Sequence, residues 1–168
     1  IVSISIISAF SLIVVADFPR IKRQFAVSRA TYAVAQDIRK AEDLGLSGAQ
    51  LTDSGGDPIQ TNGYGFYINL LENSQQYIIY ADTNSGEDEM YSGSSGTCDQ
   101  EIGANEDCIV ERINVTETED EAYIKGIYDA NTCDFNNIAS CESDKRYWIS
   151  INFMPPNPKI NIITDLTE

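Results

Sequence analysis

The stretch Ile1–Ala16, IVSISIISAFSLIVVA, contains no charged side chain; its polar groups are Ser3, Ser5, Ser8 and Ser11. As a helix it spans about 24 Å, whereas a bilayer core requires roughly 20 residues. A helix in a soluble core shows a polar face, and here only the serines interrupt the apolar surface. No small-residue cleavage site of a secretory signal follows. The chain opens on Ile1 rather than Met, and about six further apolar residues upstream would complete a span. The stretch is expected to shelter in a membrane or a bundle of helices. A buried globular helix is the weaker alternative.

Next comes Asp17-Phe18-Pro19-Arg20-Ile21-Lys22-Arg23. Proline inside a helix removes a backbone hydrogen bond and kinks or loosens the turn. The basic turn Arg20, Lys22 and Arg23 suits an interface with anionic headgroups, or simply a solvated helical turn. From Gln24 to Leu44 the pattern turns amphipathic. Phe25, Ala26, Ala30, Ala33, Val34, Ile38, Ala41 and Leu44 recur mainly every three or four residues. Gly45 is the expected stop. The chain thus divides into an apolar helix over 1–23, an amphipathic helix over 24–44 and a β-rich head over 45–168.

In the head the helical period disappears. Tyr64, Phe66, Ile68 and Leu70 alternate with Gly65, Tyr67 and Asn69, the signature of a strand. Tyr77–Ala81, Ile109–Val115, Ala122–Tyr128, Tyr147–Phe153 and Ile160–Ile163 read as further strands. Gly48–Gly63, Asp82–Cys108 and Thr132–Asp144 read as loops, and Pro155, Pro156 and Pro158 as a rigid turn. The expected class is α+β: one long helix packed on an antiparallel sheet of five or six strands.

The chain has 168 residues and a net charge of −15. Residues 1–44 carry +2 and the head −17. So acidic a surface repels a phosphate backbone, so nucleic acid is not an expected partner. The absence of histidine excludes Ser-His-Asp and Cys-His catalysis and histidine-ligated metals. No nucleophile–base constellation stands out, and no enzyme is expected. Cys98 and Cys108 enclose nine residues, and Cys133 and Cys141 enclose seven. Four cysteines allow three connectivities. Local pairing, Cys98–Cys108 and Cys133–Cys141, is expected, which implies an oxidising compartment. A four-thiolate zinc site would normally show closer spacing within each half.

An apolar helix, a proline, a basic turn, an amphipathic helix and a C-terminal sheet together resemble type IV pilins and type II secretion pseudopilins, most closely the GspH/FimT-like group. Three stretches carry the resemblance: Ile1–Arg23; Arg29-Ala30 with Asp37–Ala41; and Gly63–Tyr67 with Tyr77–Asp82, echoed by Ile151–Pro158. The family's mark, a glutamate a few residues into the mature helix, has no counterpart in Ile1–Ala16.

The resemblance implies a structural subunit cut by a prepilin peptidase and often N-methylated. Such a subunit is held in the cytoplasmic membrane by lipid, then polymerised by inner-membrane assembly machinery into a surface or extracellular helical filament, a homo-oligomer that serves adhesion or secretion. The assembly helix would present Ile1, Ile4, Ile7, Phe10, Ile13, Val14, Phe18 and Pro19. The alternative is a membrane-anchored extracellular binding or adhesion domain that does not polymerise.

Three ligand candidates remain. Asp82, Asn84, Glu87, Asp88 and Glu89 offer oxygens to calcium, the one candidate cofactor, although the EF-hand pattern fails. Some pseudopilins carry calcium in a loop, but a solvated acidic loop is the favoured reading. A rise in melting temperature with added calcium distinguishes them. Asn114-Val115-Thr116 fits the N-glycosylation pattern, but Asn114 falls in an expected strand. Tyr77, Tyr80, Tyr123, Tyr128, Tyr147 and Trp148 suggest a sugar-binding face, against the favoured reading of sheet packing with polar tips outward.

Overall fold

The computed structural model describes residues 2–83, 90–93, 96–98, 106–115, 123–128, 133, 137, 141–142, 145–155 and 159–165, with side chains from Phe18 onward. Helix α1 runs unbroken from Val2 to Ser47 through Pro19. At 1.5 Å per residue it is about 69 Å long. Strands β1 (Leu51–Thr52) and β2 (Pro58–Ile59) form a short ladder. The main sheet comprises β3 (Gly63–Asn69), β4 (Gln76–Asp82), β5 (Cys108–Asn114), β8 (Trp148–Met154) and β9 (Lys159–Thr164). Its order is β5-β4-β3-β8-β9, and each pairing is antiparallel. Strands β6 (Ile127–Tyr128) and β7 (Lys145–Arg146) pair beside it. The fold is therefore α+β, one long helix on a five-stranded antiparallel sheet.

The two-residue period of β3 sorts its side chains. Phe66 and Ile68 face α1 and join Tyr77, Ile79 and Phe153 in a core closed by Ala30 and Ala41. Val34, Ile38 and Leu44 flank it. This is the amphipathic stripe read from the sequence, with one correction. Phe25 is 63% exposed, because α1 meets the sheet only beyond it.

The helix end also differs from expectation. Gly45 does not stop α1; it lies buried within it, against β8. A Cβ there would stand 2.5 Å from the Phe153 carbonyl oxygen and 2.8 Å from its Cβ. Glycine thus serves close approach rather than termination. The stop is Gly48, at φ 58°. Ala49 N–H donates to Leu44 O at 3.2 Å and Gly48 N–H to Gly45 O at 3.3 Å, a Schellman closure.

The expected strand Ala122–Tyr128 is ladder-paired only at Ile127–Tyr128. Upstream, Ile124 N–H bonds instead to Ser74 O in the β3–β4 turn, so the segment from Tyr123 ties to that turn before reaching β7. The loop expected over Gly48–Gly63 contains the β1–β2 ladder, closed by Asp53 Oδ1, which accepts from Gly55 N and Asp57 N, each at 2.8 Å. Hydrophobicity alone does not signal a two-residue ladder. Ala122, Pro156 and Pro158 lie outside the described residues, as does the acidic turn 117–121.

Candidate functional site

Two surfaces combine exposure with unusual chemistry: the forward part of α1, and the sheet face turned away from it.

Among the described side chains of α1, 18–25 are exposed, Ala26 is half-buried, and full burial begins at Ala30. Because the helix is continuous, residues ahead of Ala26 extend about 36 Å along its axis. Phe18 is 55% exposed, and Ile21 and Val27 are exposed as well. These side chains leave water only if something else covers them. Arg20, Lys22 and Arg23 are exposed on the same turns. Lys22 Nζ stands 5.3 Å from the Phe18 ring centroid, a cation–π geometry. The side chains of Ile1, Ile4, Ile7, Phe10, Ile13 and Val14 fall outside the described ones. Among the described residues no helix is long and apolar enough to cross a membrane.

Behind Phe25 the helix is fastened to the head. Tyr77 Oη donates to Asp37 Oδ2 at 2.6 Å. Lys40 pairs with Glu111 on β5; both are largely exposed, so the pair contributes about 0–1 kcal/mol. An apolar cavity of about 480 Å³ opens beside α1, lined by Val27, Thr31, Val34 and Ile38 and closed by Tyr123 and Ile124.

The other sheet face is polar and aromatic. Gly65 leaves room for the Tyr80 ring, which an added Cβ would approach to 2.3 Å. Tyr80 Oη and Ser150 Oγ lie 2.9 Å apart, and Tyr91 N–H donates to Ser150 Oγ at 3.1 Å. The next residue, Ser92, donates from N and Oγ to the buried Asp107 Oδ2 at 2.8 and 3.1 Å. These bonds seat Tyr91 over the sheet, with its ring centroid 4.7 Å from Tyr67 and 5.2 Å from Tyr80. Trp148 adds a fourth ring, 6.4 Å from Tyr67. Burial pushes the Tyr91 phenol up to about 12, with Arg112 pulling the other way. A cavity of about 210 Å³ opens beside these rings, between Tyr67, Tyr91 and the polar groups of Gln76 and Arg112.

The remaining sites resolve unevenly. Both disulfides are local, Cys98–Cys108 and Cys133–Cys141, as expected. Cys98 and Cys108 join Tyr64 and Ala81 in a second core cluster. Of the calcium candidates, Asn84, Glu87, Asp88 and Glu89 lie outside the described residues. Asp82 is buried and accepts from Asn152 Nδ2 at 2.9 Å. Among the described residues no group of three or more His, Cys, Asp or Glu is placed to hold a metal. Asn114 lies on β5, where its Oδ1 accepts from Gln76 Nε2 at 3.0 Å.

The tyrosines singled out in the sequence are not gathered on one face. Tyr77 and Tyr80 are buried on opposite faces of β4, and Tyr123 and Tyr147 are exposed elsewhere. The aromatic wall is Tyr67 and Tyr91 with Trp148. Tyr67 was legible as the outward partner of Phe66 and Ile68 in the two-residue alternation. Tyr91 sits in a loop without periodicity and gave no signal. No family model matches the chain, and neither does any curated protein or solved structure.

Proposed function

We propose that the chain is a structural, non-catalytic subunit of an extracellular filament of the type IV pilus or secretion-pseudopilus kind, assembled through α1. The observation that carries this reading is the extent of α1. Its backbone continues unbroken to Val2, and among its described side chains, which begin at Phe18, burial by the head starts only near Ala26. Ahead of that point lie an uncharged stretch and the exposed Phe18, Ile21 and Phe25. Each is already about half covered, so burying the rest against a neighbouring copy contributes about 1 kcal/mol apiece before the cost of association. Helices of identical copies provide such cover, and lipid provides it before assembly. Extraction then exchanges one apolar environment for another. The acidic head keeps the assembled surface soluble.

The test is sedimentation of the full chain after detergent removal. Ordered polymers that pellet, with the head still folded by circular dichroism, support the proposal. A folded monomer that binds vesicles without pelleting as polymer contradicts it and favours a membrane-anchored binding domain.

A further inference from the structure

The cleft on the sheet face away from α1 is independent of the filament reading. We infer that this cleft binds a single neutral sugar ring, such as a terminal residue of a glycan. Its volume, about 210 Å³, is on the scale of one such ring rather than a peptide or a nucleotide.

Its chemistry is split as a pyranose is split. One wall is aromatic: Tyr67 and Tyr91 have ring centroids 4.7 Å apart and tilted by 40°. Such rings accept the C–H face of a sugar. The rest of the lining is polar and held in place. Asn69 Oδ1 accepts from Leu71 N at 3.0 Å, and Asn73 Oδ1 accepts from Gln75 N at 2.9 Å. Both amides are thus oriented by their own turn; Asn69 also donates to the Tyr67 hydroxyl and so steadies the aromatic wall, while the Asn73 NH₂ faces the cleft's hydroxyl-bearing ligand as a donor. Gln76 is fixed between Arg112 Nη1, which donates to its Oε1 at 3.1 Å, and Asn114 Oδ1, which accepts from its Nε2. A rim already held in its bonding geometry loses little entropy on binding.

Electrostatics select the class. The lining carries one cation, Arg112, and one carboxylate, Glu72, so it is neutral as a whole. The chain around it is at −15, which disfavours an anionic ligand. A cationic ligand would meet Arg112. A neutral polyol with one apolar face satisfies both walls.

The chain's single tryptophan, Trp148, lies beside Tyr67 and serves as the reporter. The full chain, in a detergent without a sugar headgroup, is titrated with methyl β-galactoside, methyl α-mannoside and methyl β-N-acetylglucosaminide. Methyl glucuronide and lysine are the charged comparisons. Saturation-transfer NMR runs in parallel.

At least one neutral glycoside is expected to bind with a Kd of about a millimolar. Gln76→Ala and Tyr91→Ala are each expected to weaken it about tenfold or more. Tyr123→Ala, beside α1, leaves it unchanged. Gln76 lies on the rim, so its variant keeps the proposal testable should loss of Tyr91 disturb the loop. Binding of no neutral glycoside, binding of the glucuronide or lysine alone, or neutral binding that survives Gln76→Ala overturns the inference.

Discussion

The Tyr77 hydroxyl donates to Asp37 Oδ2 at 2.6 Å, joining strand β4 to the rear of α1 across the main core. Tyr77 is buried, and its ring packs 5.0 Å from Phe66. One side chain therefore supplies both an apolar body to the core and a polar tip to the helix. Hydrogen bonds to charged partners contribute about 1.5–3 kcal/mol. Tyr77→Phe keeps the ring and removes the bond, so it should destabilise the head by about 1.5 kcal/mol. Urea unfolding checks this: the midpoint should fall with the slope unchanged.

The same residue contributes to an alkaline limit on stability. Burial, and then the Asp37 carboxylate, push the Tyr77 phenol well above its ordinary value. Burial does the same to Tyr64 and Tyr67, and raises Tyr91 to about 12. In the unfolded chain tyrosine titrates near pH 10. Above that pH the unfolded state binds fewer protons than the folded one, so unfolding becomes easier as pH rises. The contribution of these groups is intact below about pH 10; that of Tyr91 is lost between there and about pH 12, and that of Tyr77 continues to be lost at still higher pH. Melting temperatures against pH should be flat up to that point and then fall, with a shallower fall in Tyr77→Phe.

Two glycines three residues apart should respond in different ways. In an exposed helix Gly→Ala gains about 1 kcal/mol. At Gly45 the new Cβ meets the Phe153 backbone, which cannot move aside without shifting β8. Gly45→Ala should therefore cost about 2 kcal/mol despite the better helix former. Gly48→Ala faces open space but must hold φ 58°, and should cost about 1 kcal/mol. Thermal melts of the two variants test both values. A stabilised Gly45→Ala would contradict the close packing of α1 on β8.

The Cys98–Cys108 bridge lies next to Asp107, the anchor of Ser92. Replacing both cysteines by serine releases a short loop and should cost about 2–3 kcal/mol. Because Tyr91 precedes Ser92, Trp148 emission should also change before global unfolding. An unchanged spectrum up to the melting transition would show that the aromatic wall does not depend on this staple.

Much of the scaffold was legible because its signals are periodic. The helical stripe Ala30, Val34, Ile38, Ala41 and the alternation through Phe66 and Ile68 each specify one buried face, whereas the cysteines left three connectivities open, of which the expected local one is found. The helix end was misplaced because two glycines lie close together, and only the packing of Phe153 decides which one caps. The exposed Phe25 was misplaced because periodicity reports a face, not how far the partner surface extends. The sheet-face cleft was the least legible part. Tyr91 comes from a loop, Tyr67 from a strand and Arg112 from another strand, and tertiary pairing alone brings them together.

Phe25→Asp places a charge at a site that is 63% exposed in the single chain. The head should melt within about 0.5 kcal/mol of the parent, as for other exposed substitutions. If the arm packs against other copies, polymer yield should drop sharply. A loss of head stability would instead place Phe25 in the chain's own core.

The most direct measurement is electron microscopy of the detergent-depleted full chain beside its Val14→Asp/Val15→Asp variant. The account predicts helical filaments from the parent chain, and none from the variant, whose head remains folded. Filaments of normal form from the variant, or a parent chain that stays monomeric with a folded head, would contradict it.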